Sequence, residues 1–308
     1  MFLKLGLLYG LIALGYVLQK RFPINTKMVS SILLGPALTI FVFGKVALSD
    51  LQLQNLNALF LVFASTCIVA VLCFILSKYV WTSPDKKNMT NLMAASVPNT
   101  NSGYFGIPIA FIIFTPEVFS HYLVANFGIV IFMLTIGYCF YANTTQNLSR
   151  SLTQLFKLPA FYALILGFII SLSRVDIPHY ISTPLEFLSD ATGILFSIGG
   201  MMLIGIGLSQ LTLKDICWKT IFWSNAFCFI LWPLTVGAVL FIDKTILHWL
   251  GEGDDKILWL VSLCPIGVNA VLYATEFNLH PRSAALMVFS STLIAIPVLS
   301  IASVLFLK

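Results

Sequence analysis

The sequence predicts an all-α polytopic membrane protein of ten spans, built as two inverted five-helix repeats, and three observations lead there. The 308 residues are 59% hydrophobic and 9% charged, with mean hydropathy +0.96, whereas soluble domains carry about 25% charged residues. Ten apolar runs follow one another with short connections, most of them near the roughly 20 residues needed to cross hydrocarbon. Two of these runs, the fourth and the ninth, are interrupted by proline, glycine and asparagine about half a chain apart. Five spans per half is an odd number, so two similar halves would lie upside down relative to each other. Paired Gly/Pro-interrupted spans at corresponding positions point to a transporter binding site.

The elements follow in order. Span one, 2–19, reads as a retained membrane segment: no small-residue cleavage site follows it, and the basic pair Lys20–Arg21 comes after the apolar run. Span two, 26–48, carries Pro36 alone, and span three is 57–80. Span four, 89–115, contains "SVPNTNSGYFGIPIAF" from Ser96 to Phe111. Span five, 120–142, completes the first repeat, 1–142. A short cytoplasmic connection, 143–157, leads to the second repeat, 158–308. Span six, 158–174, is the shortest; span seven is 184–209, and span eight, 217–242, carries Pro233 alone. Span nine, 256–277, has Pro265, Gly267 and Asn269 at mid-membrane, and span ten, 284–307, carries Pro297 alone. The three lone prolines read as ordinary kinks of membrane helices.

The interrupted spans carry the chemistry. Proline lacks the amide hydrogen and clashes with the preceding turn. The fourth span is therefore expected to stop at Val97 and restart after Asn101, with Pro98 freeing the carbonyl of Ala94 and Pro108 that of Tyr104. Exposed backbone groups cost several kcal/mol each in hydrocarbon, so they must face protein, water or a ligand. Asn99, Asn101 and Ser102 are of types that cap helices, and Asn269 offers the same to the ninth span. If the breaks cross at the midplane, two positive half-helix ends and two side-chain amides converge. That is an uncharged site suited to a carboxylate. The expected substrate-binding set is Pro98, Asn99, Asn101, Ser102, Pro265, Gly267 and Asn269. Asn126 and Asn225 are read instead as helix–helix packing residues.

The formal net charge of +5 is mostly a topology signal. The loops after spans one, three, five, seven and nine hold Lys20, Arg21, Lys27, Lys78, Lys86, Lys87, Arg150, Lys157, Lys214, Lys219 and Arg282. The opposite side holds Lys4, Lys45, Arg174, Lys244, Lys256 and Lys308. Positive charge favours the cytoplasm, so both termini are expected outside it, in the inner membrane of the cell. A nucleic-acid partner is not expected. The six cysteines all lie in apolar runs without C-x-x-C spacing, which points to buried free thiols and to no metal or cofactor.

At these residues the sequence resembles the auxin efflux carrier family, which includes plant PIN exporters and bacterial organic-acid permeases. "NSGYFGIP" (Asn101–Pro108) is similar to the family's fourth-span pattern. "CPIGVNAVLYATEFNLHP" (Cys264–Pro281) is similar to its ninth-span pattern, and "LLGPALTIF" around Pro36 fits the second span. The resemblance implies a ten-helix inverted repeat with spans one, two, six and seven as scaffold. Spans three to five and eight to ten would form a transport domain moving as an elevator. Two features depart from the family: the connection "NTTQNLSRSLTQLFKL" is short, and the seventh span has "SDATGILFSIGG", with Gly193, where the family often places a proline. The nearer match is to bacterial members, which argues against auxin as substrate.

Function then reads as secondary transport of a small organic mono- or dicarboxylate. Glu186 and Asp190, four apart on the seventh span, Lys45 and Glu276 are the charged residues within or closing spans. Such residues are functional candidates, although each is near enough to a span end to reach interfacial water. Asp190 is the coupling candidate. Proton coupling through it, sodium coupling through carbonyls and amides, and uncoupled transport all stay open, as does assembly into a homodimer. The first alternative is a sodium-coupled carrier of the bile-acid symporter type, which shares the inverted plan. A channel ranks third, for want of a charged ring or filter sequence. An intramembrane enzyme is the remaining alternative: "GEGD" at Gly251–Asp254 matches a protease G-x-G-D pattern but lies in an acidic loop without a Tyr–Asp partner.

Overall fold

A computed structural model describes residues 2–49, 56–82, 86–142, 156–209 and 217–305. These fold as helices: α1 (Phe2–Arg21), α2 (Thr26–Ala47), α3 (Leu56–Val80), α4 (Lys86–Ser96), α5 (Ile107–Ile113), α6 (Pro116–Ala142), α7 (Pro159–Leu172), α8 (His179–Ser209), α9 (Trp218–Leu247), α10 (Asp255–Leu263), α11 (Asn269–Glu276) and α12 (Pro281–Leu305). No strand occurs among the described residues beyond one isolated bridge. Six helices, α2, α3, α6, α8, α9 and α12, have segments long and apolar enough to cross a membrane. α7 is apolar but only 14 residues long. The predicted fourth and ninth spans are α4 with α5 and α10 with α11, each pair separated by non-helical residues. The 143–157 connection lies outside the described residues except for its last two positions.

Large apolar side chains cover the outside: Phe111, Phe187, Leu234 and Phe241 are each about 70% exposed. A surface of that kind is stable against lipid tails and not against water. Hydroxyls inside the helices return to their own backbone. Ser65, Thr66, Thr135 and Thr235 each donate to the carbonyl four residues earlier, which satisfies these donors in an apolar setting, whereas the buried hydroxyls of Ser77, Thr90 and Thr220 have no such partner.

The prolines explain most of the helical irregularity. Pro36 lies inside a π turn at Leu33–Ala37, and Pro108 and Pro233 follow π turns at Ser102–Gly106 and Phe227–Leu231. A missing amide and a bulky ring disturb the four-residue register, and one wider turn restores hydrogen bonding at five. The Gly106 amide does this, donating to the Asn101 carbonyl at 3.2 Å. Pro297 lies in unbroken helix in α12, and Pro184 likewise in α8.

Two sets of helices pack mainly within themselves. α1 lies along α8, and α2 packs on both α7 and α8. α3 packs on α4 and α6, while α12 packs on α9 and α11. The sets meet where α8 lies on α12 and where α11 lies against the start of α2.

Candidate functional site

The two helix breaks touch. The Asn101 amide donates to the Pro265 carbonyl at 2.7 Å, and the Gly267 amide donates to the Asn99 carbonyl at 2.7 Å. Between these bonds Thr100 and Ile266 face each other as a single antiparallel bridge. Each break therefore supplies the partners that the other lost when its helix stopped. Gly267 is dictated by this contact: a Cβ there would stand 2.8 Å from the Asn99 carbonyl oxygen.

Neighbouring helices satisfy three more of the backbone groups. Trp232 of α9 donates its indole N–H to the Val97 carbonyl at 3.3 Å, and Tyr122 of α6 donates its hydroxyl to the Ser102 carbonyl at 2.7 Å. The Ile266 amide donates to Ser291 Oγ of α12 at 3.1 Å. The Ser102 hydroxyl donates to Asn126 Oδ1. Tyr122, Asn126, Trp232 and Ser291 were not among the expected site residues. Each is a polar side chain on an apolar helix, and spacing along the chain says nothing of a partner on another helix.

What stays unpartnered is the side-chain chemistry. Asn99 is 1% exposed, and neither of its amide atoms has a hydrogen-bond partner. The Thr100 hydroxyl and Asn101 Nδ2 are also buried without partners. A buried polar group left unsatisfied costs about 1–3 kcal/mol, so this cluster is a concentrated demand for hydrogen bonds. It lies where both breaks meet.

The expected residues are placed as follows. Pro98, Asn99, Asn101 and Ser102 form or flank the first break, and Pro265 and Gly267 lie in the second. Asn269 opens α11, and its Nδ2 donates to Met133 Sδ of α6 at 2.8 Å. Among the described residues no hydrogen bond joins it to Asn99 or Asn101. The expectation that these side chains cap the half-helices is corrected. Asn101 precedes the Ser102–Gly106 turn with no side-chain cap bond, and its backbone carbonyl receives the Phe105 and Gly106 amides instead. At α11 the cap position is Val268, one residue before Asn269, so that amide side chain is past the place from which it could cap.

Asp190 is remote from the breaks in its bonding. Its Oδ1 accepts from Lys45 Nζ at 2.5 Å, with side chains 53% and 44% exposed. Glu186 is exposed on the same helix. Glu276 closes α11 and faces α2, its Oε2 accepting from Ser31 at 2.6 Å and Ser30 at 3.2 Å.

Glu276 also lines a cavity of about 710 Å³, together with Lys27, Ser31, Tyr138, Lys157 and Tyr273. Lys27, Ser31 and Lys157 come from α2 and the approach to α7; Tyr138, Tyr273 and Glu276 come from α6 and α11. The cavity reaches Leu134, next to the Met133 that Asn269 contacts.

Comparison with known proteins adds two findings. A family model described as membrane transport protein matches residues 7–303. An uncharacterized transporter of Methanocaldococcus jannaschii is 25% identical over 274 residues, covering 86% of this chain and 84% of its own.

Proposed function

The chain belongs to the membrane transport protein family, to which the auxin efflux carriers belong, and from that premise we propose that it is a secondary transporter of a small organic anion. The substrate, a mono- or dicarboxylate, binds where the two broken spans cross. One observation carries this reading: the amide of Asn99, the hydroxyl of Thr100 and Nδ2 of Asn101 are buried without hydrogen-bond partners at the contact of the two breaks. Amide and hydroxyl donors in a dry setting stabilise a carboxylate without a permanent cation, which would hold the anion too tightly to release it. A ligand oxygen there removes the cost of those unmade bonds.

The architecture proposed is ten spans in two inverted repeats, 1–142 and 158–308, with the crossing at mid-membrane and both termini outside the cytoplasm. Spans one, two, six and seven form the scaffold, and spans three to five and eight to ten move as an elevator. The separate packing of the two helix sets supports that division, and so does a cavity lined from both sides of their boundary.

A double-mutant cycle tests the site. A hydrogen bond to a charged ligand contributes about 1.5–3 kcal/mol, so Asn101→Ala and Asn269→Ala should each weaken binding by about tenfold to a hundredfold. If both touch one ligand, the double variant should differ from the sum of the singles. Affinity is measured on folded, purified protein with a panel of labelled organic acids and amines. Unchanged affinity in both single variants, or saturable binding of an amine that no acid displaces, removes the proposal.

A further inference from the structure

We infer that the neighbouring ends of α3, α4 and α9 form a binding site for the headgroup of an anionic phospholipid. α3 and α9 run antiparallel and touch at both ends. Asn57 Nδ2 of α3 donates to the Trp249 carbonyl just beyond α9 at 3.0 Å. At the other end Lys219, in the first turn of α9, holds its Nζ 5.8 Å from the ring centre of Trp81, the residue after α3. α4 starts at Lys86, shortly after Trp81, so three helix ends lie on one side of the molecule. Four lysines stand there: Lys78 in the last turn of α3, Lys86 and Lys87 in the first turn of α4, and Lys219. All four are exposed, and none belongs to an ion pair among the described residues. The adjoining sequence adds Lys214, Asp85 and Asp215, leaving five lysines against two aspartates. The first turns of α4 and α9 carry lysine and no acid, although the positive end of a helix favours negative charge. A bound phosphate relieves both the crowding of ammonium groups and their repulsion from the helix ends.

The surroundings favour a lipid over a free anion. Lys78 Nζ lies 4.1 Å from the ring centre of Phe74, and a ring face attracts an ammonium without neutralising it. Tyr79, Trp218 and Phe222 are exposed close along the chain to these lysines, and aromatic rings of this kind lie at the headgroup level of a bilayer. Ile75 and Leu76, further into α3, add exposed apolar surface for acyl chains. The hydroxyls of Ser77, Thr90 and Thr220 are buried without partners. Each is adjacent to, or one turn inward from, one of the lysines, so the helix ends that gather positive charge also hold unmade hydrogen bonds. A phosphate oxygen accepts from such donors, directly or through water.

The test uses the purified full chain in detergent, mixed with equimolar phosphatidylglycerol and phosphatidylcholine of the same acyl chains. Retained lipid is counted by native mass spectrometry on protein that elutes as folded. Phosphatidylglycerol should be retained preferentially and should raise the thermal unfolding midpoint more than phosphatidylcholine does. A lysine beside an anionic headgroup contributes a factor of about five, so Lys78→Gln with Lys219→Gln should weaken phosphatidylglycerol binding by about tenfold or more. Lys78→Arg with Lys219→Arg should keep it. If the glutamine pair does not fold, Lys86→Gln with Lys87→Gln carries the same expectation. Lys20→Gln with Arg21→Gln removes equal charge from the end of α1 and should change binding by less than about twofold, since remote exposed charges are screened. Equal retention of the two lipids, or equal losses from the α1 pair and the site pair, overturns the inference. So does displacement of phosphatidylglycerol by millimolar glycerol phosphate, which would mark a site for soluble anions.

Discussion

Gly267 shows how little freedom the crossing leaves a single residue. With the Asn99 carbonyl oxygen 2.8 Å from where a Cβ would be, a methyl group there must push apart two backbones that are joined by hydrogen bonds. Overpacking of this kind costs about 1–3 kcal/mol. Gly267→Ala should lower the midpoint of thermal unfolding in detergent, while Gly35→Ala, with open space around it, should not. Equal stability of the two variants would mean that the bridge yields easily. The prolines and asparagines of the breaks were legible in the sequence, because a missing amide in an apolar run has few explanations. Their bonding was not. Asn269 turns to a methionine sulfur on α6 and Asn101 uses its backbone instead of its side chain, choices made by neighbours far away along the chain.

At the level of elements, a helix that stops among apolar neighbours has to be closed by something, and α9 supplies part of the closure. Trp232 is 1% exposed and donates to the Val97 carbonyl at the end of α4. Trp232→Phe keeps most of the packing volume and removes the donor. The variant should lose about 1–3 kcal/mol, read as a lower unfolding midpoint. Unchanged stability would show that this carbonyl has another partner. The sequence located the breaks within a residue or so, at Val97 against the observed Ser96 and at Ser102 for the restart. It did not show the π turns around Pro36, Pro108 and Pro233, since a kink and a widened turn are written with the same residue. Nor did it show that Asp190, the coupling candidate, pairs with Lys45 across two helices, since spacing along the chain does not reveal such a partner.

For the whole molecule, membrane embedding was the easiest property to read, since composition alone separates lipid from water as the solvent. Orientation comes from charge outside the hydrocarbon and is tested separately. Five proposed spans separate Arg150 from Lys308, both outside the described residues. Reporter fusions at these two positions should indicate opposite sides of the membrane, with Arg150 cytoplasmic. Both on one side would remove the span count and the inverted repeat together. How the helices pack against one another was not legible in the apolar runs, because which apolar face meets which is not encoded in hydropathy.

The paired bonds between Asn99–Asn101 and Pro265–Gly267 also set an order of events during biosynthesis. The first break is made about 165 residues before its partner, and a ribosome adding about 5–20 residues per second needs roughly 8 to 33 seconds to cover that distance. Throughout that interval the Asn101 amide and the Asn99 carbonyl have left the ribosome without the groups that complete them. The insertion machinery must therefore shelter or hydrate this segment, or hold α4 and α5 out of the lipid, until α10 and α11 arrive. A chain truncated after α9 should be degraded rapidly or remain bound to the insertase, whereas the full chain should be released. Nascent chains stalled at successive lengths and probed by crosslinking should show release only once residues beyond Gly267 have emerged.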